Sequence, residues 1–183
     1  MLTITVPANE LFDEKTSEFI SVKEQVLLLE HSLLSLSKWE SKWHKSFLFG
    51  LENGTLSLEE TIDYIRCMCL TKNVDPNVYK CLSPSNISEI NEYLSNPMTA
   101  TTISDNQPGE RNYEIKTSEL IYYWMIACGI PFECEKWHLN RLIMLIRVCS
   151  AKNAPPRKMS RDEIMRRNAE LNAKRRKEWN SKG

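Results

Sequence analysis

Glycine is scarce in this sequence, and long apolar runs are missing. Five glycines among 183 residues are too few for a β-sandwich or barrel, because those folds join many short strands through tight turns. Glu30, Pro131 and Arg147 interrupt the longest apolar stretches, so none is long enough for a transmembrane helix. The N-terminus also lacks the basic-then-apolar pattern of a signal peptide. We therefore expect a mainly helical protein that stays in the cytoplasm.

Recognisable catalytic and metal-binding motifs are also missing. The sequence has no glycine-rich phosphate loop, no nucleophile elbow and no isolated pair of carboxylates in an apolar setting. His31, His44 and His138, the only histidines, lie in contexts typical of packing or boundary residues. The six cysteines lie mostly in apolar helical patterns, and their spacing matches no zinc site. We predict reduced thiols, no metal, no cofactor and no catalytic residue.

The fold class predicted from periodicity is mainly α (α+β), with a small N-terminal β element. Leu2, Ile4 and Val6 alternate with polar residues as in a half-buried strand, and residues 19–22 are a candidate partner strand. Between Val26 and Leu48 strand and helix periods compete. We interpret that segment as strand-like or mixed to about residue 35 and helical beyond it, although spacing does not exclude helix throughout.

Further helices follow from capping residues and apolar spacing. The Ser57 capping box predicts a helix to about residue 70, and Thr117 or Ser118 begins another that reaches Cys128. Residues 98–114 have no helical period and are predicted to form a loop or irregular hairpin. The remaining predicted helices are 86–94, opened by Asn86, and 132–149, which we expect at the centre of the core because it is apolar on most sides.

The charge is divided unevenly along the chain. Of 24 basic and 24 acidic residues, eleven basic and four acidic lie from residue 152 onward, so the body carries about −7 and the tail about +7. Pro155 and Pro156 mark the boundary, because a proline pair cannot continue a helix. We predict a body over 1–153 and a basic tail over 154–183 that meets an acidic surface.

The tail is predicted to be a helix opened by a Ser160 capping box, with too little apolar surface to bury itself. Its basic clusters point around the helix and alternate with acidic residues, which favours a protein partner over nucleic acid. A solvated or folded-back extension is an equally reasonable interpretation. The residues predicted to bind a partner are Ile164, Arg166, Arg167, Leu171, Lys174, Arg175, Arg176, Lys177 and Trp179.

Two tryptophans near lysines allow a second nucleic-acid interpretation. Trp39 and Trp43, with Lys38, Lys42 and Lys45 interleaved, could stack on bases. The i, i+4 spacing more often places such a pair on the face of a helix that anchors to the core. We predict the anchoring role.

Several segments together resemble the tail assembly chaperones of long-tailed bacteriophages that infect Gram-positive bacteria. The similarity covers nearly the whole chain, and none of its segments is a mechanistic motif. The segments are residues 35–43 (SLSKWESKW), 59–65 (EETIDYI), 75–79 (DPNVY), 96–101 (NPMTAT), 121–126 (IYYWMI), 130–142 (IPFECEKWHLNRL) and 159–169 (MSRDEIMRRNA).

The resemblance implies a function without catalysis. Such chaperones bind the tape measure protein in the host cytoplasm, assist polymerisation of the tail tube protein, and are usually absent from the finished virion. Self-association is compatible with that role. The alternatives are a structural head-tail or neck component of the virion, a nucleic-acid-binding module that uses the basic tail, and an enzyme whose site is assembled only in space.

Overall fold

The computed structural model describes residues 1–13, 17–102, 115–153 and 160–179. It is 60% helical with a few short strands, which confirms the mainly α (α+β) class. The chain divides into two compact units, Met1–Lys152 and Asn153–Gly183. The first is a body built on a β-ribbon and six helices within the described ranges, and the second contains one long helix.

The N-terminal β element is an antiparallel ribbon made of two short sheets. Strand β1 (Leu2–Val6) pairs with β4 (Gln25–Leu29), and β2 (Asn9–Asp13) pairs with β3 (Glu18–Val22). The prediction that residues 19–22 pair with β1 is therefore wrong. Residues 25–29 are the better partner because Leu27 and Leu29 continue the buried face that Ile4 begins.

The buried face of the ribbon changes at Pro7. Both sheets have the same register, since Val6 pairs with Gln25 and Asn9 pairs with Val22. In the proximal sheet, formed by β1 and β4, Ile4 is buried. In the distal sheet, formed by β2 and β3, the same alternation leads to Phe12, which is exposed. The ribbon therefore turns over at residues 7–8, where proline cannot donate a ladder hydrogen bond.

The segment after β4 forms helix α1 (Leu33–Trp43) earlier than expected. The strand ends at Leu29, and Ser32 takes an extended conformation in which its side chain accepts a hydrogen bond from the Ser35 amide. The strand-like interpretation is thus confirmed for residues 26–29 and wrong for 33–35. An N-cap serine decides the boundary because it satisfies an amide that the first helical turn leaves unpaired.

The other helices follow the predicted caps with small shifts. Ser57 forms the predicted capping box of α3, and Thr117 is the N-cap of α5. Asn86 does not open α4 but serves as the third residue of a box capped by Ser83. The bounds are Phe47–Asn53 for α2, Leu58–Met68 for α3, Pro84–Ser95 for α4, Ser118–Ala127 for α5, Leu139–Asn153 for α6 and Arg161–Glu178 for α7, with 3₁₀ helices at Pro76–Lys80 and Phe132–Lys136.

The helix predicted over residues 132–149 is broken in two. A 3₁₀ helix covers Phe132–Lys136, and α6 begins only at Leu139. The break is held by main-chain contacts: the Leu139 amide donates to the His31 carbonyl at 2.7 Å, and His138 forms an isolated bridge with Ser32. Trp137 has extended backbone angles and cannot be part of a helix, so the long helix is excluded.

Helix α1, and not α6, lies at the centre of the core. Only three residues of α6 are buried, whereas the fully buried Trp39 of α1 has its ring 5.2 Å from that of Phe47 and 6.5 Å from that of Tyr64. The Phe47 and Tyr64 rings are stacked 3.5 Å apart. The Trp39 indole donates to the Glu60 carbonyl at 2.9 Å, so its polar group is satisfied. The predicted anchoring role of Trp39 follows from this packing.

A single buried carboxylate joins α1 to two other helices. Glu40 accepts hydrogen bonds from the Phe47 amide at 3.2 Å and from the Ser118 amide at 2.7 Å, at the N-termini of α2 and α5. Burial raises the pKa of Glu40, while these bonds oppose the rise. A negative group between two helix N-termini satisfies unpaired amides and interacts favourably with both dipoles.

We predict that Glu40→Ala lowers the free energy of unfolding by about 3 kcal/mol, because it leaves two buried amides without an acceptor. Glu40→Gln keeps one acceptor oxygen, so its free energy of unfolding should lie between those of the unaltered protein and Glu40→Ala. Chemical denaturation at neutral pH measures the loss. Glu59→Ala, which removes an exposed carboxylate from the first turn of α3, is the control and should change stability by less than about 0.5 kcal/mol. Equal effects at both positions would contradict the capping role.

Truncation after Asn153 should leave the body folded. No residue of α7 is buried, and the buried apolar residues of the described chain end at Ile146. We expect a cooperative thermal transition and an unchanged near-ultraviolet circular dichroism signal from the tryptophans, with stability altered by less than about 1 kcal/mol. A shortened protein that melts without cooperativity would refute the prediction.

Candidate partner-binding surfaces

Helix α7 carries every residue predicted to bind a partner except Trp179, which is its C-cap. Its eighteen residues span about 27 Å, at about 1.5 Å for each residue. None of them is buried, and Trp179 is 75% exposed. The helix therefore presents its whole length to solvent or to a partner.

The polar groups at both ends of α7 are arranged to stabilise it. The Ser160 side chain accepts from the Glu163 amide and the Glu163 carboxylate accepts from the Ser160 amide, so the predicted capping box is present. Asp162 is in the first turn, and the basic cluster 175–177 is in the last turn. These charges oppose the helix dipole at each end, which helps a helix that buries nothing.

The side chains of α7 form a narrow apolar stripe within a mostly charged surface. At about 100° for each residue, Ile164 and Leu171 lie within about 20° of each other, and Trp179 lies about 60° from Ile164. Arg175 projects between Ile164 and Trp179 around the helix axis. Arg166 and Lys177 lie on the side of the helix opposite Ile164. Met165, which is not among the predicted partner-binding residues, widens the stripe and is 62% exposed. The sequence feature that indicates this role is that Met165 directly follows the apolar anchor Ile164.

Two of the three lysines near the tryptophan pair form ion pairs within the body. Lys42 contacts Asp63 at 2.7 Å, and Lys45 contacts Glu60 at 2.7 Å. Hydrogen bonding to Lys45 is the main reason that the pKa of Glu60 falls to about 2. Trp39 is completely buried and so offers no face to a nucleic-acid base. These contacts join α1 and the segment after it to α3, and they argue against base stacking at this place.

Two of the three histidines lie together in the core. The His31 and His138 rings are 5.1 Å apart, His31 Nδ1 is 2.6 Å from the Tyr64 hydroxyl, and His138 Nε2 is 3.0 Å from the Tyr93 carbonyl. Burial, with a smaller contribution from His138, lowers the pKa of His31 to about 3. His44 instead ends α1 in a left-handed conformation, with φ of 53°. The buried pair is neutral at physiological pH and joins β4, α3, α4 and α6.

The chemistry available to the histidine pair is limited by its burial. Tyr93 donates its hydroxyl hydrogen to Glu30, and Glu30 is 3.1 Å from the N-terminal ammonium group. A nucleophile or base needs access to substrate, and these rings are enclosed. Within the described ranges no group of three or more His, Cys, Asp and Glu side chains could hold a metal ion, and the six cysteines are free thiols.

One cavity of about 330 Å³ lies on the body. Its walls mix apolar residues such as Leu48, Ile143 and Met144 with polar ones such as Asn140. Lys116 and Glu52, which also line it, lie 3.7 Å apart as an ion pair. The Ser95 hydroxyl, which also lines the cavity, donates to the Glu92 carbonyl at 3.0 Å.

A second exposed surface lies on α5. Leu120, Tyr123, Ile126 and Ala127 share the face of this helix that points away from the core, which is formed on the other side by Ile121 and Met125. Residues 118–127 were predicted to form a helix, but no face of it was predicted to bind a partner, although its sequence is apolar on most sides. That continuous apolar character was the available signal, because a helix covered on one side only leaves the other apolar side exposed.

Comparisons with known proteins identify no relative of this chain. A scan against protein-family models, a search of the curated proteins and a search of the solved structures each gave no match. Among the described residues, no helix has both the length and the apolar character needed to cross a membrane.

The histidine pair predicts acid-sensitive stability. The unfolded His31 protonates near pH 6.5, whereas the folded one does so only near pH 3, so its contribution is complete above pH 6.5 and is lost as the pH falls toward 3. His31→Gln should reduce the slope of unfolding free energy between pH 6 and pH 5 by about 1.4 kcal/mol per pH unit. Denaturant titrations across this range measure the slope. His44→Asn is the control, and an unchanged slope in His31→Gln would reject the prediction.

Proposed function

We propose that this chain is a non-enzymatic phage tail assembly chaperone, which binds the tape measure protein in the host cytoplasm and assists polymerisation of the tail tube protein. The observation that carries the proposal is α7, a doubly stabilised helix that buries none of its residues. A structured helix without a core of its own is typical of a binding arm. The resemblance of the sequence to tail assembly chaperones supplies the identity of the partner.

The binding mode follows from the residues of α7. Ile164 and Leu171 are the apolar anchors, and Trp179 adds a large amphipathic side chain at the end of the helix. Arg166, Arg175 and the other basic residues can reach carboxylates at the rim of a groove or on a neighbouring helix. A tape measure helix that exposes an apolar stripe bordered by Asp and Glu would be bound and kept in solution by this surface.

The rival function is nucleic-acid binding by the same basic residues. Four acidic residues, Asp162, Glu163, Glu170 and Glu178, are distributed along α7 and lower its attraction for a polyanion. The basic residues point in all directions, so no phosphate-tracking stripe forms. A virion component is the other alternative, and mass spectrometry of purified virions separates it from a chaperone, which should be absent. Neighbouring genes for tail tube and tape measure proteins would support the proposed role.

We predict that full-length protein captures the tape measure protein at physiological salt and that Leu171→Ser with Ile164→Ser weakens capture at least about tenfold. The control is Ala169→Ser with Ala173→Ser, which adds two hydroxyl groups on the other side of α7. Pull-down and calorimetry with purified proteins measure the effect. Binding of DNA or RNA that falls by several decades as salt rises, without capture of the tape measure protein, would favour the nucleic-acid rival.

A further inference from the structure

The outer face of α5 is an apolar helix surface that the described body leaves uncovered. Tyr123 and Ile126 are each 63% exposed although they lie one turn apart on the same side. Phe132, from the following 3₁₀ helix, is 56% exposed and lies 6.3 Å from the Tyr122 ring, which it borders. These three side chains, with Leu120 and Ala127, form a surface that we call the α5 face.

The helix that carries the α5 face is anchored to the body, which suits the face to binding. Its opposite side is anchored by Ile121 and Met125, which are completely buried, and its first turn is tied to α1 through the Ser118 amide and Glu40. Its side wall is fixed because the Tyr122 hydroxyl donates to Glu135 at 2.8 Å. A partner would not need to order the backbone that carries these side chains, which lowers the entropic cost of binding.

Carboxylates stand at both ends of the α5 face. Glu119 lies one turn before Tyr123 and two turns before Ile126, on the same stripe, and Glu133 follows Phe132 at the other end. Both are exposed, and neither forms an ion pair with a residue of the described ranges. An apolar stripe with an acidic group at each end is complementary to a helix with an apolar stripe and basic groups at its ends.

We propose that the α5 face binds a basic amphipathic helix of a partner protein, with Tyr123, Ile126 and Phe132 packing on its apolar stripe and Glu119 and Glu133 pairing with its Lys or Arg side chains. The helical shape of the occupant follows from the shape of the surface, because a ridge of residues spaced three and four apart packs into the grooves of another helix. This surface lies on a different element from α7, so it stands independently of the proposed chaperone role.

The test uses the full-length chain and a fluorescently labelled designed peptide, with leucine at helical three-four spacing and lysine elsewhere. A twin peptide carries glutamate in place of lysine. Fluorescence anisotropy should show saturable binding of the lysine peptide, weaker at higher salt, and no binding of its twin. Tyr123→Ala with Ile126→Ala should weaken binding at least about tenfold, and Glu119→Gln with Glu133→Gln should weaken it about threefold and reduce its salt dependence.

Matched controls separate the α5 face from general attraction to an acidic protein. Leu58→Ala removes an apolar side chain that is 76% exposed on α3, and Glu59→Gln removes a carboxylate from the first turn of the same helix. Both should leave the affinity unchanged. No saturable binding by the unaltered chain, or equal losses in the α5 and α3 variants, would overturn the proposal. Concentration-dependent dimerisation that Tyr123→Ala abolishes would assign the face to a second copy and overturn it too.

Discussion

The arrangement of the body depends on the Glu40 carboxylate and the way α1 presents it. One oxygen accepts from the start of α2 and the other from the start of α5, so a single side chain fixes where two helices begin. Its desolvation, which raises its pKa, is offset by two amide donors and by the positive ends of two helix dipoles. The aromatic packing of Trp39, Phe47 and Tyr64 forms around the same point, because Phe47 supplies both a ring and an amide.

A second constraint attaches the ribbon to the helices. The outer edge of β4 is covered by the segment after α3, since the Leu70 amide donates to the Leu28 carbonyl and the Glu30 amide donates to the Met68 carbonyl. His31, at the end of this edge, contacts α3 through Tyr64 and holds the start of α6 through its carbonyl. The proximal ribbon is therefore part of the core and not an appendage to it.

Sequence signals between nearby residues predicted the helix starts that interactions between nearby residues determine. The capping boxes at Ser57 and Ser160 could be found because the interaction joins residues three apart in sequence. The pairing of β1 with β4 and the break at residue 138 could not, because both depend on partners far along the chain: Ile4 faces Leu27, and His138 faces Ser32. The exposed α5 face was missed for the same reason, since an apolar helix shows in its sequence how much it can bury and not how many neighbours it has. For α7 the sequence sufficed to predict a charged, capped helix because little tertiary packing competes with its local preferences.

The turnover of the ribbon at Pro7 has an evolutionary consequence. The register is continuous while the buried face changes, so the two halves of the ribbon are coupled by residue parity, that is, by whether positions are odd or even. An odd number of residues inserted on one side of the break would exchange the buried Ile4 and Val6 with their exposed neighbours relative to the distal strands. A change in ribbon length that preserves both the register and the buried faces therefore adds or removes the same even number of residues in both arms. The distal tip, where Phe12 and Phe19 are exposed, is freer to diverge than the base from which it extends.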